Sequence, residues 1–295
     1  MLDLPQLHAL HAVHTQGSVR AAARTLHLTT SAVSQRLARL ERELGKPMLE
    51  RTGRGVRLTE AALVLVAHAD RILAAVAEAE AAVEEKAGVV LGGVSVAAFS
   101  TAARALLPPA LELVRARHPG LRVGLGELEP HEALPLVAGA ELDLAIVQDW
   151  PDAPLELPGG LARAGLLDDV VDVVVPDDHR LGAVATLAEL GGESWVSWPE
   201  GTGCRDWLRR VVGGADVVHS AGEHHTQLAL VARGLGIAMM PRLGRGLLPG
   251  GVRVVELEPV SHRHVYAVWR VESARRPAIR AVLEAIDLAA LELTG

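Results

Sequence analysis

Aromatic residues and cysteine are scarce in this sequence of 295 residues. Phe99 and Tyr266 are the only residues of their kinds, five Trp accompany them, and Cys204 is the single cysteine. The core must therefore be built mainly from Ala, Val and Leu. One cysteine excludes an internal disulfide framework and is typical of a protein kept in a reducing cytosol.

Long apolar runs are also missing. The longest, residues 61–67, ends at His68 and falls well short of the roughly 18 residues of a transmembrane helix. The first residues lack the basic region and apolar stretch of a signal peptide. We therefore expect a cytoplasmic protein with no membrane partner. At about 150 residues per domain, its length predicts two domains, or a small domain joined to a larger bilobed one.

Motifs of catalysis and cofactor binding are absent as well. There is no GxSxG and no P-loop lysine, and the glycines of residues 234–238 do not follow the strand–GxGxxG–helix order of a dinucleotide site. His8, His11 and His14 recur every three residues, a spacing that drifts around a helix, and they have no acidic or cysteine partner. The sequence therefore predicts no enzyme, no cofactor and no metal site.

The charge is unevenly distributed along the chain. Residues 1–60 carry nine Arg and Lys against five Asp and Glu, a net charge of +4, whereas the remaining residues carry −11 of the total of −7. A basic head on an acidic body is typical of a protein whose N-terminal part meets a polyanion.

The first sixty residues read as three short helices followed by a basic hairpin near residues 50–59. Gly17 ends the first helix, Ser18 is a candidate N-cap of the second, and Thr29 to Ser31 supply candidate caps for the third. On a helical wheel the third helix has an apolar stripe of Val33, Leu37, Leu40 and Leu44. Its polar side holds Ser31, Gln35, Ala38 and Arg42, flanked by Ser34 and Arg39. Short hydroxyls and an amide near the helix start suit base edges in the major groove, and the arginines suit phosphates.

Residues 59–86 contain neither Gly nor Pro and predict one long helix. Leu65, Ile72 and Ala79 recur every seven residues in it, a stripe that favours a partner helix. Packing of this helix on its own domain is the alternative. Gly88 and Gly92 then mark a domain boundary.

Beyond this boundary, strand and helix patterns alternate through to a final helix near residues 277–293. Such an order predicts parallel sheet with helices on both faces. Two such blocks in tandem indicate two lobes with a cleft between them. The predicted fold class is thus α/β with an all-α N-terminal part.

The N-terminal segment resembles the winged helix-turn-helix of LysR-type transcriptional regulators. The matching positions are Gly17-Ser18, Ala22-Ala23, Leu26, Val33-Ser34, Leu40-Glu41, Leu44-Gly45, Arg51 and Leu58-Thr59. The rest of the chain is similar to the linker helix and the periplasmic-binding-protein-like effector domain of that family. The landmarks there are Leu107-Pro108, His118-Pro119-Gly120, residues 142–146, and residues 234–238 before Pro241.

The resemblance implies a dimer or tetramer that binds an interrupted inverted repeat in promoter DNA. If the protein is an activator, the resemblance also implies contact with RNA polymerase. It implies that Thr30, Ser31, Ser34 and Gln35 meet the major groove and that Arg51 and Arg54 follow the DNA backbone. Arg39 joins these candidates from its place on the helix. Thr30-Ser31 replaces the usual Gln-Pro of the family, so the base preference is expected to differ. Leu65, Ile72 and Ala79 are the candidate dimer residues.

The implied domains are residues 1–58, the linker helix 59–87 and the effector domain 88–295. Within the last, lobe I covers about 88–161 and 265–295, and lobe II about 162–264. A small molecule such as a carboxylate or amino acid is expected between the lobes. The candidate effector residues are Ser100, Thr101, Gln148, Thr202, His225 and Thr226.

Plainer interpretations stay open for several of these residues. Ser100 and Thr101 are also suited to simple helix capping, and the His224-His225 pair to an exposed turn. Cys204, beside Arg205, is either a redox sensor with a lowered pKa or a small buried thiol. Two other classes of protein also remain: a solute-binding protein, which would need export, and an enzyme, which would need a catalytic constellation in the cleft.

Overall fold

We describe a computed structural model of the chain, which covers residues 2–26, 28–52, 55–87 and 90–294. Two parts follow each other: a small N-terminal domain with a long helix, and a large mixed α/β body. The predicted fold class is confirmed. Among the described residues, no helix is both long and apolar enough to cross a membrane.

The N-terminal domain contains three helices and a hairpin. Its elements are α1 (Leu4–Gln16), α2 (Val19–Thr25), α3 (Thr30–Leu44), β1 (Leu49–Thr52) and β2 (Gly55–Leu58). The predicted caps form: Ser18 accepts a hydrogen bond from the backbone N–H of Ala21, and Thr29 accepts one from that of Ala32, each at 3.1 Å. Gly17 and Gly45 end α1 and α3 at φ values of +67° and +64°, which favour glycine.

The apolar stripe of α3 is shorter than predicted. Val33, Leu37 and Leu40 are buried in the core of this domain, but Leu44 is 39% exposed. Leu44 lies in the last turn of α3, where the chain reverses at Gly45, and Met48 of the following segment fills the core instead. Glu41 fixes this reversal because its carboxylate accepts hydrogen bonds from the backbone N–H groups of Met48 and Leu49.

The long helix α4 (Glu60–Ala87) packs on its own chain with one stripe and leaves a second stripe partly open. Its buried residues are Ala62, Val66, Ala69 and Leu73. Of the heptad stripe, Leu65 and Ile72 are half-buried and Ala79 is exposed. The helix therefore packs on its own chain, which was the alternative interpretation, and the heptad stripe lies on a different, partly open face. The dimer stripe stays a prediction.

The first half of the body is built on a parallel sheet. Its strands are β3 (Gly92–Ala98), β4 (Leu121–Glu127) and β5 (Leu144–Asp149), in the order β4-β3-β5. The helices here are α5 (Ser100–Ala105), α6 (Leu107–Arg117) and α7 (Pro130–Ala138). The chain does not extend α5 into one long helix but starts a new helix at Leu107. Proline fits the first turn of a helix, and Pro108 stands there.

The second half is connected to the first by two long strands. These are β6 (Leu161–Pro176) and β12 (Ser261–Arg270), which pair antiparallel, and β12 also pairs antiparallel with β5. The other elements are β7 (Val184–Ala185), β8 (Ser194–Ser197), α8 (Gly203–Val212), β9 (Asp216–Ser220), α9 (His224–Val231), β10 (Ala238–Pro241) and β11 (Val252–Leu257). The helix α10 (Pro277–Thr294) returns to the first half.

The expectation of parallel sheet in both blocks is therefore only partly correct. The second half is mixed, since β10 and β11 pair antiparallel with β6 whereas β8 and β9 pair parallel. Antiparallel neighbours need no crossover helix, so a chain that shuttles between two halves can add them directly. Separate apolar cores cover the faces of each half, and we call these halves lobe I and lobe II. The exact domain and lobe boundaries stay a prediction.

Candidate functional site

The polar side of α3 is open to solvent. Thr30, Ser31, Ser34, Gln35 and Arg39 are all exposed, as predicted. The opposite side of the helix is buried, so the helix has only one face to offer. The guanidinium of Arg39 is 3.1 Å from the carboxylate of Glu43, but the Arg39 side chain remains 61% exposed and free to exchange this partner for a phosphate.

The hairpin β1–β2 forms beside α3 in the predicted place. Arg54 and the side chain of Arg51 lie outside the described residues, so their contribution to this edge stays a prediction. Arg57 was not among the candidates. It projects from β2 with 75% exposure and pairs with Glu50 at 2.6 Å. The hairpin thus carries at least one further exposed cation.

A cavity of about 370 Å³ lies between the two lobes. Four of the predicted effector residues line it: Ser100 and Thr101 at the start of α5, Gln148 near the end of β5, and Thr202 before α8. Residues of both lobes therefore line the same cavity. The volume is at the small end of the range for ligand pockets and is suited to a small metabolite.

Arg263 is at the centre of this cavity, and the sequence analysis missed it. Its side chain is only 2% exposed and donates two hydrogen bonds to Asp169 Oδ2, at 2.9 and 2.7 Å. It also donates to Thr101 Oγ1 at 2.7 Å and to the side-chain carbonyl of Gln148. Its guanidinium lies over the ring of Phe99, 4.9 Å from the ring centre. One buried cation thus ties α5, β5 and β6 together.

A signal for this residue was present in the sequence. Asp169 starts the largely apolar stretch 169–176, and Arg263 lies two residues before the apolar stretch 265–269. Charges that are buried with such stretches are almost always paired. Which acid pairs with which base depends on the register of β6 against β12. Asp169 is directly opposite Arg263 in that register.

The start of α9 also lines the cavity, through His224 and not through the predicted His225 or Thr226. His224 is buried and lines the cavity, and its Nε2 has no hydrogen-bond partner among the described residues. Burial lowers the pKa of His224 to about 3, with the charges of Arg104 and Arg263 acting in the same direction, so the ring is neutral at pH 7. His225 and Thr226 are exposed, and the Thr226 hydroxyl donates to Glu223 at 2.7 Å. Successive residues of a helix point about 100° apart. At the start of α9 this leaves His224 facing the cavity and turns His225 and Thr226 to solvent.

Cys204 is in the wall as a buried thiol. Its Sγ lies 3.7 Å from Gln148 Nε2 and 3.8 Å from Arg263 Nη1. Burial raises the pKa of Cys204, and the charge of Arg263 offsets this only in part. The cation next to the thiol is thus Arg263, not the neighbouring Arg205 of the sequence. Burial also raises the pKa of Glu129, another cavity residue.

The N-terminal domain touches the body at the turn after α7. His11 of α1 packs over Gly139 so closely that a Cβ at that glycine would lie 2.6 Å from His11 Cε1. Glu141 follows in the same turn. Burial raises the pKa of Glu141 to about 7, and the side chain of Gln16, also on α1, offsets part of this rise. This turn is a direct contact between the helix bundle that carries α3 and lobe I.

Two family models cover the chain. Residues 4–63 match "Bacterial regulatory helix-turn-helix protein, lysR family", and residues 87–289 match "LysR substrate binding domain". The chain is 28% identical over 294 residues to the HTH-type transcriptional regulator CbbR of Rhodospirillum rubrum, covering 97% of this chain and 96% of that protein. Its relatives of this kind are transcriptional regulators, a class without enzymatic activity.

Solved structures show the same architecture. A full-length OxyR variant from Pseudomonas aeruginosa superimposes with a TM-score of 0.73 at 25% identity, covering 98% of this chain and 95% of that one. Full-length CbnR in complex with its target DNA superimposes with a TM-score of 0.56 at 19% identity, covering 98% of this chain and all of that one. The arrangement of helix bundle, long helix and bilobed body is therefore a shared fold.

Proposed function

The chain belongs to the LysR family of transcriptional regulators, and from this premise we propose how its residues divide the work. The polar face of α3 binds promoter DNA, and a small anionic effector binds in the cavity around Arg263. The observation that carries the second half is the network of Arg263, which joins residues of both lobes around one cavity. A ligand that changes this network changes the relation between the lobes.

The DNA contact follows from the exposed residues of α3. Gln35 and the three hydroxyls near the start of the helix are placed to meet base edges, whereas Arg39 and the arginines of the hairpin meet phosphates. Among proteins of this fold, CbnR is known in complex with its target DNA. To test this, DNA fragments bound by the purified protein at near-physiological salt are captured and sequenced. Enrichment of one interrupted palindrome is expected, and binding without sequence preference would contradict the proposal.

The effector is a small carboxylate or amino acid in this proposal. A helix N-terminus can bind an anion, but α5, which begins at Ser100, has only six residues and offers a weak dipole. Arg263 and, at the cavity mouth, the exposed Arg104 supply full positive charge instead. His224 is neutral and offers its Nε2 to the ligand.

Thr101→Val tests the effector site. The variant removes the hydroxyl that accepts from Arg263 but keeps the shape of the side chain. We expect the effector concentration at half-response to rise about ten- to a hundredfold, since hydrogen bonds to charged groups contribute about 1.5–3 kcal/mol. DNA affinity without effector is expected to stay unchanged, because effector and DNA affinities are coupled only through the conformational equilibrium.

Thr226→Val is the matched control, since Thr226 is exposed and outside the cavity wall. It is expected to respond like the wild type in the same titration, monitored by fluorescence anisotropy of a labelled promoter fragment. An equal loss in both variants, or loss of DNA binding in Thr101→Val, would argue against the assignment. Ser100→Ala is a second, milder probe of the same wall.

The chain is further proposed to act as a homodimer or homotetramer through the open stripe of α4. Ala79→Glu places a charge on this stripe and is expected to lower the oligomeric state in analytical ultracentrifugation. Ala67→Glu puts the same charge on an exposed position well around the helix from the stripe and is expected to have no effect. If both variants, or neither, dissociate the protein, another surface holds the copies together.

Thiol-based sensing of an oxidant is a second candidate function, favoured by the place of Cys204 in the cavity beside Arg263. The raised pKa of the thiol opposes it, because the thiolate is the reactive form. Cys204→Ser separates the two candidates. If DNA binding by the wild type responds to hydrogen peroxide and that of Cys204→Ser does not, the thiol is the sensor; no response in either leaves the anionic effector.

A further inference from the structure

The two strands that connect the lobes carry a second set of polar residues on the face away from the effector cavity. Residues along β12 alternate between the two faces, so Arg263 is turned towards the cavity while His262 and His264 are turned away from it. Asp168 precedes Asp169 on β6 and is likewise turned away. We call Asp168, His262 and His264 the outer-face cluster.

The register of the sheet brings these three residues together. Asp168 is directly opposite His264 in the antiparallel pair, and His262 is two positions along the same face. His264 Nδ1 lies 2.6 Å from Asp168 Oδ1, and the rings of His262 and His264 are 5.0 Å apart. One ligand atom from each residue lies within 4.8 Å of the others, the one such group found among the described residues.

We propose that the outer-face cluster binds a divalent transition-metal ion of the Zn²⁺ class. Two imidazoles and one carboxylate are a common ligand set for such ions, and here one ligand atom of each already lies within 4.8 Å of the others. The Asp168 side chain is 66% exposed and that of His264 32%, so solvent supplies the remaining ligand. Mg²⁺ and Ca²⁺ prefer all-oxygen sites and are excluded by the two imidazoles.

The proposed metal site is independent of the DNA and effector proposals. It is built from different side chains on the opposite face of the strands, so its failure and theirs are distinguishable. The sequence carries a signal for this cluster in two histidines at positions i and i+2 of a strand, which point to the same face.

Direct metal binding by the full-length chain without an affinity tag tests the proposal. The protein is stripped with EDTA, dialysed and titrated with ZnCl₂ in an isothermal titration calorimeter. We expect one Zn²⁺ per chain, and MgCl₂ is expected to give no binding signal. His262→Gln and His264→Gln are each expected to weaken Zn²⁺ binding at least tenfold, since even residues that only orient metal ligands contribute about 10–100-fold.

His219→Gln is the matched control, because His219 is also a half-buried histidine on a strand, β9, outside the cluster. Its Zn²⁺ affinity is expected to equal that of the wild type. Asp168→Asn keeps the size of the side chain and is expected to weaken binding as well, while its circular dichroism and melting profile stay those of the wild type. Unchanged one-to-one binding in His262→Gln and His264→Gln, equal loss in His219→Gln, or no stoichiometric binding by the wild type would each overturn the proposal.

Discussion

The polar face of α3 and the wall of the cavity are both built around arginine, but in opposite ways. Arg39 on α3 is 61% exposed, and its partner Glu43 is four residues away in the same helix. Arg263 is 2% exposed, and its partners Asp169, Thr101 and Gln148 are 94, 162 and 115 residues away in the chain. One site is made by a local segment, the other by the whole body.

This difference sets what each arginine can do. An exposed cation exchanges partners cheaply, so it can turn to a phosphate when DNA arrives. A buried cation is fixed by its partners and cannot be left alone, so it preorganises a site and transmits any change among the groups it joins. The following predictions test this comparison, beginning with the largest expected effect.

Removing the buried cation is expected to cost the most. Arg263→Met leaves the carboxylate of Asp169 buried and without its charge partner, which is expected to lower the free energy of unfolding by about 3–5 kcal/mol in urea denaturation. The same substitution at Arg209, an exposed residue paired with Glu200 at 2.6 Å, is expected to stay within about 1 kcal/mol. Equal losses at both sites would break the comparison, and recovery of stability in Arg263→Met/Asp169→Leu would sharpen it.

Gln35→Ala is expected to act on specificity rather than on stability. If Gln35 reads a base edge, the variant loses about 1–3 kcal/mol of discrimination at one position of the DNA site. Selection of binding sites from a random library measures this as a lost base preference at that position. Arg39→Ala is the contrasting variant and is expected to retain the preferred sequence. A weaker but equally specific Gln35→Ala would place this residue on the DNA backbone.

Glu141 lies where the N-terminal domain contacts lobe I, and it makes the stability of the protein depend on pH. Because burial raises its pKa to about 7 in the folded protein, the folded form binds the proton more tightly than the unfolded form, and stability falls as the pH rises from about 4.5 to 7. At pH 8, Glu141→Gln is expected to melt on the order of 2 °C higher than the wild type. At pH 5 the two proteins are expected to melt at the same temperature.

Glu112→Gln, on the exposed side of α6, is the control and is expected to leave the pH profile of the wild type unchanged. Differential scanning calorimetry from pH 5 to pH 8 provides the comparison. A lower melting temperature of Glu141→Gln at pH 8 would show that the charged carboxylate is stabilised by the contact with α1 rather than destabilised.

Arg39→Ala is expected to have the smallest effect on the protein itself. The free energy of unfolding should stay within about 0.5 kcal/mol, as for most surface substitutions. DNA affinity is expected to fall evenly across sequences, and the slope of log K against log salt concentration to decrease by about one. An unchanged slope with a changed base preference would move Arg39 from the phosphates to a base.

Sequence-based prediction worked best for features that depend on neighbouring residues. The caps at Ser18 and Thr29 and the polar face of α3 were predicted correctly, since they depend on neighbours within a few residues. Ser100, Thr101, Gln148 and Thr202 were placed at the cavity, where the structure has them. Arg263 was not among the candidates, because its partners are distant in the chain and are brought to it by the register of β6 against β12.

The corrections have physical reasons of the same kind. Leu44 continues the helical period but lies where the chain turns away, so Met48 takes its place in the core. His225 and Thr226 belong to a segment in which His224 and the preceding Glu223 line the cavity, whereas His225 and Thr226 face solvent. A period or a segment identifies candidates, whereas the packing of the next element selects among them.

By itself the sequence determined the family, the order of the N-terminal helices and hairpin, and the exposed polar face of α3, because these depend on spacing and on interactions within one helix or hairpin. Only the tertiary structure decided that Arg263 holds the cavity and that Asp168, His262 and His264 share a face. Both depend on the register of β6 against β12, and a shift of one residue would turn every side chain to the opposite face. That register depends on the packing of both lobes and cannot be derived from the sequence of either strand alone.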